Sequence, residues 1–158
     1  MSEQFRIAPV ANDIDLCAAA GLFDDYARSL PVDLGYQEFA AELAGLPGKY
    51  AAPAGALLLA RGSSGAAVGC VALRPLGDGV CEMKRLFVAR SARGLGLGAA
   101  LAEAIVAAAR DRGYRELRLD TLSSMARAAA LYRAMGFEPI APYYGPTPAG
   151  TVFMALQL

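Results

Sequence analysis

The hydrophobic period of this chain changes on either side of one glycine-rich segment, and that change constrains the fold most. Before the segment, residues 81–88 follow a Gly77-Asp78-Gly79 turn and are predicted to form a strand. After it, apolar residues repeat every three and four positions from Leu97 to Ala108, which predicts a helix with one apolar stripe. Residues 116–121 then alternate and predict another strand. This order favours a βαβ unit.

Shorter predicted elements extend this unit on both sides. The other predicted strands lie at 5–7, 56–61, 66–73, 137–140 and 151–157. The other predicted helices lie at 12–30, 36–46 and 125–135. No repeat or long linker divides the chain, so we predict a single domain over residues 1–158. Its fold class is α/β (α+β mixed sheet), with a central mixed sheet flanked by helices.

Composition argues against several classes of protein. Hydrophobic residues make up 56% of the 158 residues, too many for a disordered chain. Fifteen basic residues balance fifteen acidic ones, which leaves no net charge to attract nucleic acid. The apolar stretches are too short to span a bilayer, and no signal-peptide pattern opens the sequence. Three widely spaced cysteines argue for a reducing compartment. We therefore expect a cytoplasmic protein without a nucleic-acid or membrane partner.

The chain contains no histidine. Ser-His-Asp and Cys-His nucleophile sites, HExxH metal sites and histidine general bases all need this residue. A Cys-x-x-Cys pair is also missing from the sequence, so no zinc signature is present and no metal is expected. Any catalysis must therefore use carboxylates, tyrosine, lysine, cysteine or backbone groups.

The segment Arg93-Gly94-Leu95-Gly96-Leu97-Gly98 lies between the strand and the helix. Glycine permits positive φ and close approach of a ligand, and N–H groups at a helix N-terminus bind anions. Arg93 adds positive charge for a phosphate. The segment therefore predicts a pyrophosphate-binding turn, although three glycines also suit a plain flexible turn. The Ala99-Ala100 pair disfavours a P-loop, and Leu101 disfavours a dinucleotide fingerprint.

Two segments carry a resemblance to a known family. The glycine segment resembles the Arg/Gln-x-x-Gly-x-Gly/Ala coenzyme A motif of the GNAT N-acetyltransferase superfamily. The segment Ala128-Ala129-Ala130-Leu131-Tyr132-Arg133-Ala134-Met135-Gly136-Phe137 is similar to that superfamily's Ala-x-x-Leu-Tyr-x-x-x-Gly-Phe motif. The predicted elements also resemble the family's β-α-α-β-β-β-α-β-α-β-β order.

The resemblance implies an N-acetyltransferase that moves the acetyl group of acetyl-CoA to a primary amine of a small molecule. Direct attack through a tetrahedral intermediate is the expected route, a free amino acid is one candidate acceptor, and a homodimer is one candidate assembly. Two alternatives stay open. One is a non-catalytic acetyl-CoA-binding regulatory module, and the other is a protein that uses the turn for another nucleotide.

The resemblance also implies where the cofactor lies. The strand Leu86–Val88 is expected to separate from its parallel neighbour Leu117–Asp120, with the pantetheine arm between them. Because Met125 stands where many family members have asparagine, Ser123 or Ser124 is the expected substitute. The predicted cofactor-binding residues are Leu86, Phe87, Val88, Arg93, Gly94, Leu95, Gly96, Leu97, Gly98, Ala99, Ser123 and Tyr132.

Two residues are predicted to carry the chemistry. The resemblance points Tyr132 toward the cofactor sulfur, where its phenol is a general acid for the leaving thiolate. Glu82 is the candidate general base, directly or through water, and an exposed ion-paired glutamate is the alternative reading. Asp120 is a weaker candidate base, and Cys81 is a minor candidate for a covalent acyl carrier.

The acceptor side is less constrained by the sequence. By resemblance, the loop at 142–150 and the helix–helix junction around Tyr36 flank the acceptor channel. Arg85 or Arg74 is a candidate partner for an acceptor carboxylate. The predicted substrate-binding residues are Tyr36, Arg85, Tyr143 and Tyr144.

Overall fold

The structure, a computed structural model, describes residues 4–158 except the side chains of residues 36 and 37. Seven strands lie in the described chain: β1 Arg6–Pro9, β2 Ala56–Arg61, β3 Ala67–Gly77, β4 Val80–Val88, β5 Glu116–Leu122, β6 Glu138–Ile140 and β7 Thr151–Gln157. The α-helices of that part are α1 Asp13–Ser29, α2 Phe39–Ala44, α3 Leu97–Asp111 and α4 Ala126–Ala134. The predicted order of elements is confirmed. In the described part, no helix has the length and apolar character needed to cross a membrane.

The strands form one mixed sheet in the order β1-β2-β3-β4-β5-β7-β6. Neighbouring strands are antiparallel except β4 and β5, which are parallel. They are parallel because α3 carries the chain back to the end of the sheet at which β4 begins. These two strands pair only from Val80–Glu116 to Glu82–Arg118. Beyond Glu82 no backbone pairing joins β4 to β5, so a gap opens toward their carboxyl ends.

Different helices cover the two faces of the sheet. The stripe predicted on α3 is confirmed, since Leu97, Leu101 and Ile105 are buried with α4 residues against one face. Each such side chain contributes about 1.5–3 kcal/mol through burial. Phe23 of α1 packs on the other face. Side chains alternate between the two faces along a strand. Cys81 and Met83 therefore face α3, whereas Glu82 and Lys84 face the α1 side.

A β-bulge interrupts β4 beside the gap. The β3–β4 register shifts between the pairs Cys70–Phe87 and Ala72–Lys84, so β4 carries one extra residue there. Arg85 lies in the bulge with φ of 61°, a conformation that costs a non-glycine residue energy. The bulge turns neighbouring Lys84 and Arg85 to the same face of the sheet.

Two predicted elements differ from the structure. The predicted helix at 36–46 is instead a 3₁₀ turn, Leu34–Gln37, followed by the short helix α2. Glu38 separates them because its left-handed φ of 56° ends the first turn. The strand predicted at 66–73 continues to Gly77, with a register irregularity between Pro75 and Gly77.

Substitution of Gly55, which directly precedes β2, tests the packing of the sheet against its neighbouring loop. A Cβ there would lie 2.6 Å from the Lys49 carbonyl oxygen and 2.8 Å from the Leu73 carbonyl oxygen. Since backbone atoms cannot move aside cheaply, we expect Gly55→Ala to destabilise the protein by about 1–3 kcal/mol. The measurement is the free energy of unfolding in urea.

The control is Gly21→Ala in α1, where an added Cβ meets nothing within 4 Å. We expect this variant to gain about 0.5–1 kcal/mol because alanine has the higher helix propensity. Equal stability changes in the two variants would contradict the close approach at Gly55.

Candidate active site

A cleft of about 640 Å³ lies where β4 and β5 separate. Its walls come from the end of β4, the glycine turn, the start of α4, and Tyr26 and Ser29 of α1. The lining residues of the first three groups are Leu86, Phe87, Val88, Ala92, Arg93, Gly94, Gly96, Leu97, Gly98, Ser124, Met125, Ala126, Arg127, Ala128 and Leu131. The structure therefore brings the two sequence motifs to one site.

The backbone of the glycine turn presents N–H groups to this cleft. Gly94 and Gly96 have φ of 79° and 80°, and Gly96 is the N-cap of α3 without a side-chain cap. The first N–H groups of a helix have no partner within the helix, and they carry the positive end of its dipole. An added Cβ at Gly94 or Gly96 would meet no atom within 4 Å. Glycine is therefore needed at these positions for the positive φ, and it leaves the cleft open.

Arg93 is held at the edge of the cleft. Its Nε donates to the Val88 carbonyl oxygen at 3.1 Å, and its guanidinium carbon lies 5.8 Å from the Phe87 ring centroid. Leu95 and Ala99, which were predicted to contact the cofactor, do not line the cleft, and the Leu95 side chain is 50% exposed. Any contact from these two residues would have to come from their backbone.

Backbone groups at the end of β4 also face the gap. The N–H of Ala89 donates to the Val68 carbonyl oxygen on the β3 side at 2.8 Å. Because successive peptide groups of a strand alternate in direction, the N–H and C=O groups of Val88 face away from β3. The Arg93 contact with the Val88 carbonyl agrees with this direction. The gap therefore offers a free strand edge to an extended ligand.

A smaller cavity of about 70 Å³ continues the cleft between the two strands. Both spaces are lined by Tyr26, Leu86, Met125 and Ala128. The cavity adds five polar side chains, those of Lys84, Arg85, Asp120, Thr121 and Tyr132.

Tyr132 is buried on the α4 side of this cavity. Its ring centroid lies 5.7 Å from that of Phe137. Burial, with smaller contributions from Tyr26 and Asp120, raises the pKa of Tyr132, so the phenol stays protonated at neutral pH. Its hydroxyl makes no hydrogen bond to any residue that the structure describes. The arrangement suits a proton donor that faces a ligand.

Glu82 is fully buried and does not line the cavity. The Arg74 Nε donates to its carboxylate at 2.8 Å, the Tyr143 hydroxyl also donates to it, and the Lys84 Nζ lies 3.7 Å away. Burial alone would raise the pKa of Glu82, but the charges of Lys84 and Arg74 with these hydrogen bonds outweigh it and lower the pKa. Glu82 is therefore an anion already engaged by neighbouring donors.

The loop between β6 and β7 contacts this network through two tyrosines. Tyr143 and Tyr144 pack edge to face on Phe153, with ring centroids 5.1 and 5.3 Å from it. The Tyr144 hydroxyl donates to Asp120, as Tyr143 does to Glu82. Both predicted tyrosines thus contact carboxylates at the gap.

The remaining predicted residues differ in their relation to the site. Arg85 is 3% exposed and lines the small cavity, and its guanidinium binds the Glu42 carboxylate through two hydrogen bonds of 2.8 and 2.9 Å. The Ser123 N–H donates to the Gly150 carbonyl oxygen, and Ser123 does not line the cleft. The side chain of Tyr36 lies outside the described residues.

Cys81 is buried away from the cleft. Burial, with the charge of Glu116, raises the pKa of its thiol to about 12. An acyl-carrying thiol must ionise, so this environment disfavours the covalent route through Cys81. Among the described residues, no cluster of three or more histidine, cysteine or acidic side chains could hold a metal.

Sequence reasoning did not single out Lys84 and ranked Asp120 below Glu82. The available signal was the alternation of charge with apolar residues along β4, which puts Glu82 and Lys84 on one face. The bulge and the limited pairing with β5 decide which of these side chains reaches the gap.

Comparison with known proteins identifies the family of this chain. The family model described as "Acetyltransferase (GNAT) family" matches residues 20–137. An uncharacterized N-acetyltransferase of Schizosaccharomyces pombe is 40% identical over 138 residues, which are 87% of this chain and 85% of that protein. An IAA acetyltransferase of Azospirillum brasilense is 42% identical over 98 residues, which are 60% of this chain and 63% of that protein.

Solved structures show the same fold. A GNAT-family acetyltransferase of Staphylococcus aureus superposes with a TM-score of 0.78 at 18% identity, covering 98% of this chain and 99% of that one. An acetyltransferase of Streptococcus agalactiae gives 0.80 at 21% identity, with 98% of each chain covered. Fold and relatives together define an acyltransferase. The chain belongs to the acetyltransferase (GNAT) family, whose members use acetyl-CoA or another acyl-CoA and act on small-molecule or protein amines.

Substitution of Gly96 tests the anion-binding turn. Valine at φ of 80° is strained and would also occupy cleft volume, so we expect Gly96→Val to weaken acetyl-CoA binding by about tenfold or more. The measurement is the dissociation constant for acetyl-CoA by calorimetry.

Gly65→Val is the matched control. Gly65 has φ of 88°, has equally open surroundings and lies in the β2–β3 turn outside the cleft. We expect this variant to lose stability and keep its affinity for acetyl-CoA. Equal affinities in the two variants would remove the turn from the binding site.

Proposed function

We propose that this chain is an N-acetyltransferase that moves the acetyl group of acetyl-CoA to a primary amine of a small molecule. One observation carries the proposal: a helix N-terminus with unpaired N–H groups opens into a cleft that continues as a cavity lined by Tyr132. The end of the cleft at the glycine turn suits a diphosphate. The narrow cavity lined by Tyr132 suits a reacting thioester.

The cleft has the features that an extended coenzyme needs. The turn at 93–98 supplies N–H groups and the Arg93 charge for the diphosphate. The free edge of β4 at Val88 supplies hydrogen-bonding groups for the amides of the pantetheine arm. Ser124 lines the wall opposite and is the serine that we propose as an additional contact. These features support acetyl-CoA as the cosubstrate.

The cavity has the groups that acyl transfer needs. A neutral amine attacks the thioester, an N–H group stabilises the oxyanion, and the thiolate takes a proton as it leaves. Tyr132 is the proposed general acid because its protonated hydroxyl is available in the cavity. The N–H groups at the end of β4 are the proposed oxyanion donors.

The two carboxylates near the cavity differ in access. Asp120 lines the cavity, whereas Glu82 lies behind Lys84 and Tyr143. We therefore propose that Asp120 accepts the amine proton directly. Glu82, the base expected from sequence, can act only through a relay across Lys84 or Tyr143, and its contacts otherwise hold those two side chains in place.

The size of the cavity favours a small acceptor. It holds about 70 Å³, and the Tyr144 hydroxyl binds Asp120, one of its lining residues. Two structural neighbours are ribosomal-protein-alanine N-acetyltransferases, of Brucella melitensis and Escherichia coli, at 24% and 23% identity. Since identities this low show the fold alone, the acceptor is proposed from the cavity and not from these neighbours.

The Tyr132→Phe variant tests the general acid and separates an enzyme from a binding module. We expect turnover to fall by about 10²–10⁴-fold while acetyl-CoA affinity is kept, because only the proton donor is removed. The measurement is release of free thiol from acetyl-CoA with a panel of amines, beside calorimetric binding.

Tyr114→Phe is the control for this substitution. The Tyr114 hydroxyl donates to the Ala54 carbonyl oxygen, outside the cleft and the cavity, so the variant should keep normal turnover. An unchanged rate in Tyr132→Phe would show that the phenol is not the acid. Binding of acetyl-CoA without turnover of any amine by the wild-type protein would favour the regulatory module.

A further inference from the structure

Three polar side chains that line the same small cavity each have an atom without a described hydrogen-bond partner. These atoms are the hydroxyl of Tyr132, the Nζ of Lys84 and the Oδ1 of Asp120. In the described part of the structure, every buried side-chain nitrogen or oxygen has a partner. These three atoms therefore keep contact with the open space of the cavity, where a ligand can reach them.

Lys84 is an unusual feature of this cavity. Its side chain is 7% exposed, and its Nζ lies 3.7 Å from a Glu82 oxygen and 4.0 Å from an Asp120 oxygen. Both distances exceed that of a hydrogen bond. Burial lowers the pKa of Lys84 against the opposing charges of these two carboxylates. A further anion at hydrogen-bond distance would therefore stabilise the ammonium.

Only one carboxylate oxygen of Asp120 accepts a hydrogen bond from a described residue. The Tyr144 hydroxyl donates to its Oδ2, and the same oxygen is the one nearest to Lys84. Oδ1 makes no hydrogen bond to a residue described in the structure and can accept from a ligand ammonium. Lys84 and Asp120 thus present one cationic and one anionic group, with 4.0 Å between their nearest atoms.

We propose that Lys84 and Asp120 bind the two charged groups of an α-amino acid, with its carboxylate on Lys84 and its ammonium on Asp120. The inference rests on the proposed acetyltransferase function and names the class of its acceptor. The carboxylate and amine of an α-amino acid are joined through one carbon, so a single molecule can bridge a pair separated in this way. An amine without a carboxylate would leave Lys84 with no added partner and place a second cation beside it.

The chemical step balances with the groups present. The ammonium gives one proton to Asp120, and the neutral amine attacks the carbonyl carbon of acetyl-CoA to form the C–N bond. When the C–S bond breaks, Tyr132 donates its proton to the thiolate and regains one from the nitrogen. The products are the N-acetyl amino acid and free coenzyme A, and the proton on Asp120 passes to solvent.

A third, smaller cavity adjoins the reaction cavity. It holds about 20 Å³ and shares Asp120 and Tyr26 with the reaction cavity. Its remaining wall is largely apolar, with Leu30, Val32 and Leu34 from the segment after α1. A space of this size holds about one water molecule, so it sets no side-chain preference, and leucine serves as a probe of the α-amino acid class.

The test compares three acceptors that differ only in the carboxylate: L-leucine, L-leucinamide and 3-methylbutylamine. For the wild-type protein we expect kcat/KM to be about tenfold or more higher for leucine than for the other two, because a charge-assisted hydrogen bond is lost with the carboxylate. Lys84→Met should lower kcat/KM for leucine by about tenfold or more beyond any change for leucinamide, so that the ratio of the two values falls toward one. The preference for the acid then disappears.

Two further variants keep this test decisive. Lys84→Arg retains the charge and should retain the preference for leucine. Lys49→Met, at the other lysine of the chain, should behave as wild type. Acetyl-CoA affinity, measured on each variant, shows that the cofactor site is intact.

The outcomes separate this inference from the proposed function. Transfer to amines with no preference for leucine, or a preference that survives Lys84→Met, overturns the inference and leaves the acetyltransferase. Bound acetyl-CoA without transfer to any of the three probes overturns the inference as well. Failure of the wild-type protein to bind acetyl-CoA overturns the proposed function itself.

Discussion

The whole site depends on the early end of pairing between two parallel strands. β4 and β5 share three residue pairs and then separate, while β4 remains bonded to β3 along its other edge. A buried strand edge without partners is costly, since unpaired backbone groups lose their hydrogen bonds to water. The gap is tolerated because it is open to solvent as a cleft. An extended ligand that pairs with this edge would restore the missing hydrogen bonds.

The bulge in β4 and its contacts hold the gap in this form. Arg85 has a left-handed φ and is fixed by two hydrogen bonds to Glu42 of α2. Its guanidinium also lies 5.3 Å from the Phe39 ring centroid, so α2 is tied to the bulge. The bulge puts Lys84 on the same face of the sheet as Arg85. The contacts that hold the bulge and the proposed acceptor-binding lysine therefore lie on one stretch of β4.

Much of the architecture could be predicted from local sequence. The strong period of α3 and the alternation of β5 specified the βαβ unit, and the two motifs correctly indicated which segments form the cleft. The prediction of one helix at 36–46 was wrong in extent because Glu38 adopts a left-handed conformation. Helix propensity does not reveal such a conformation. Such local breaks depend on tertiary contacts.

The chemistry of the site was harder to predict than its location. Tyr132 could be placed by its motif, but the burial of Glu82 and the access of Asp120 depend on Arg74, Tyr143 and Tyr144. These partners are up to 61 positions apart in sequence, as Glu82 and Tyr143 are. The spacing of residues within one sequence carries no information about such pairings. Lys84 was overlooked for the same reason.

Residue-resolved amide hydrogen exchange along β4 tests the central claim most directly. The claim is that the N–H group of Val88 faces the gap and pairs with the arm of acetyl-CoA. We predict that saturating acetyl-CoA slows exchange at this residue, whereas Phe87, directed toward β3, and Cys81, in the paired part of β4, change little. Exchange at Val88 that is already slow in the free protein, or is unchanged by saturating acetyl-CoA, would contradict it.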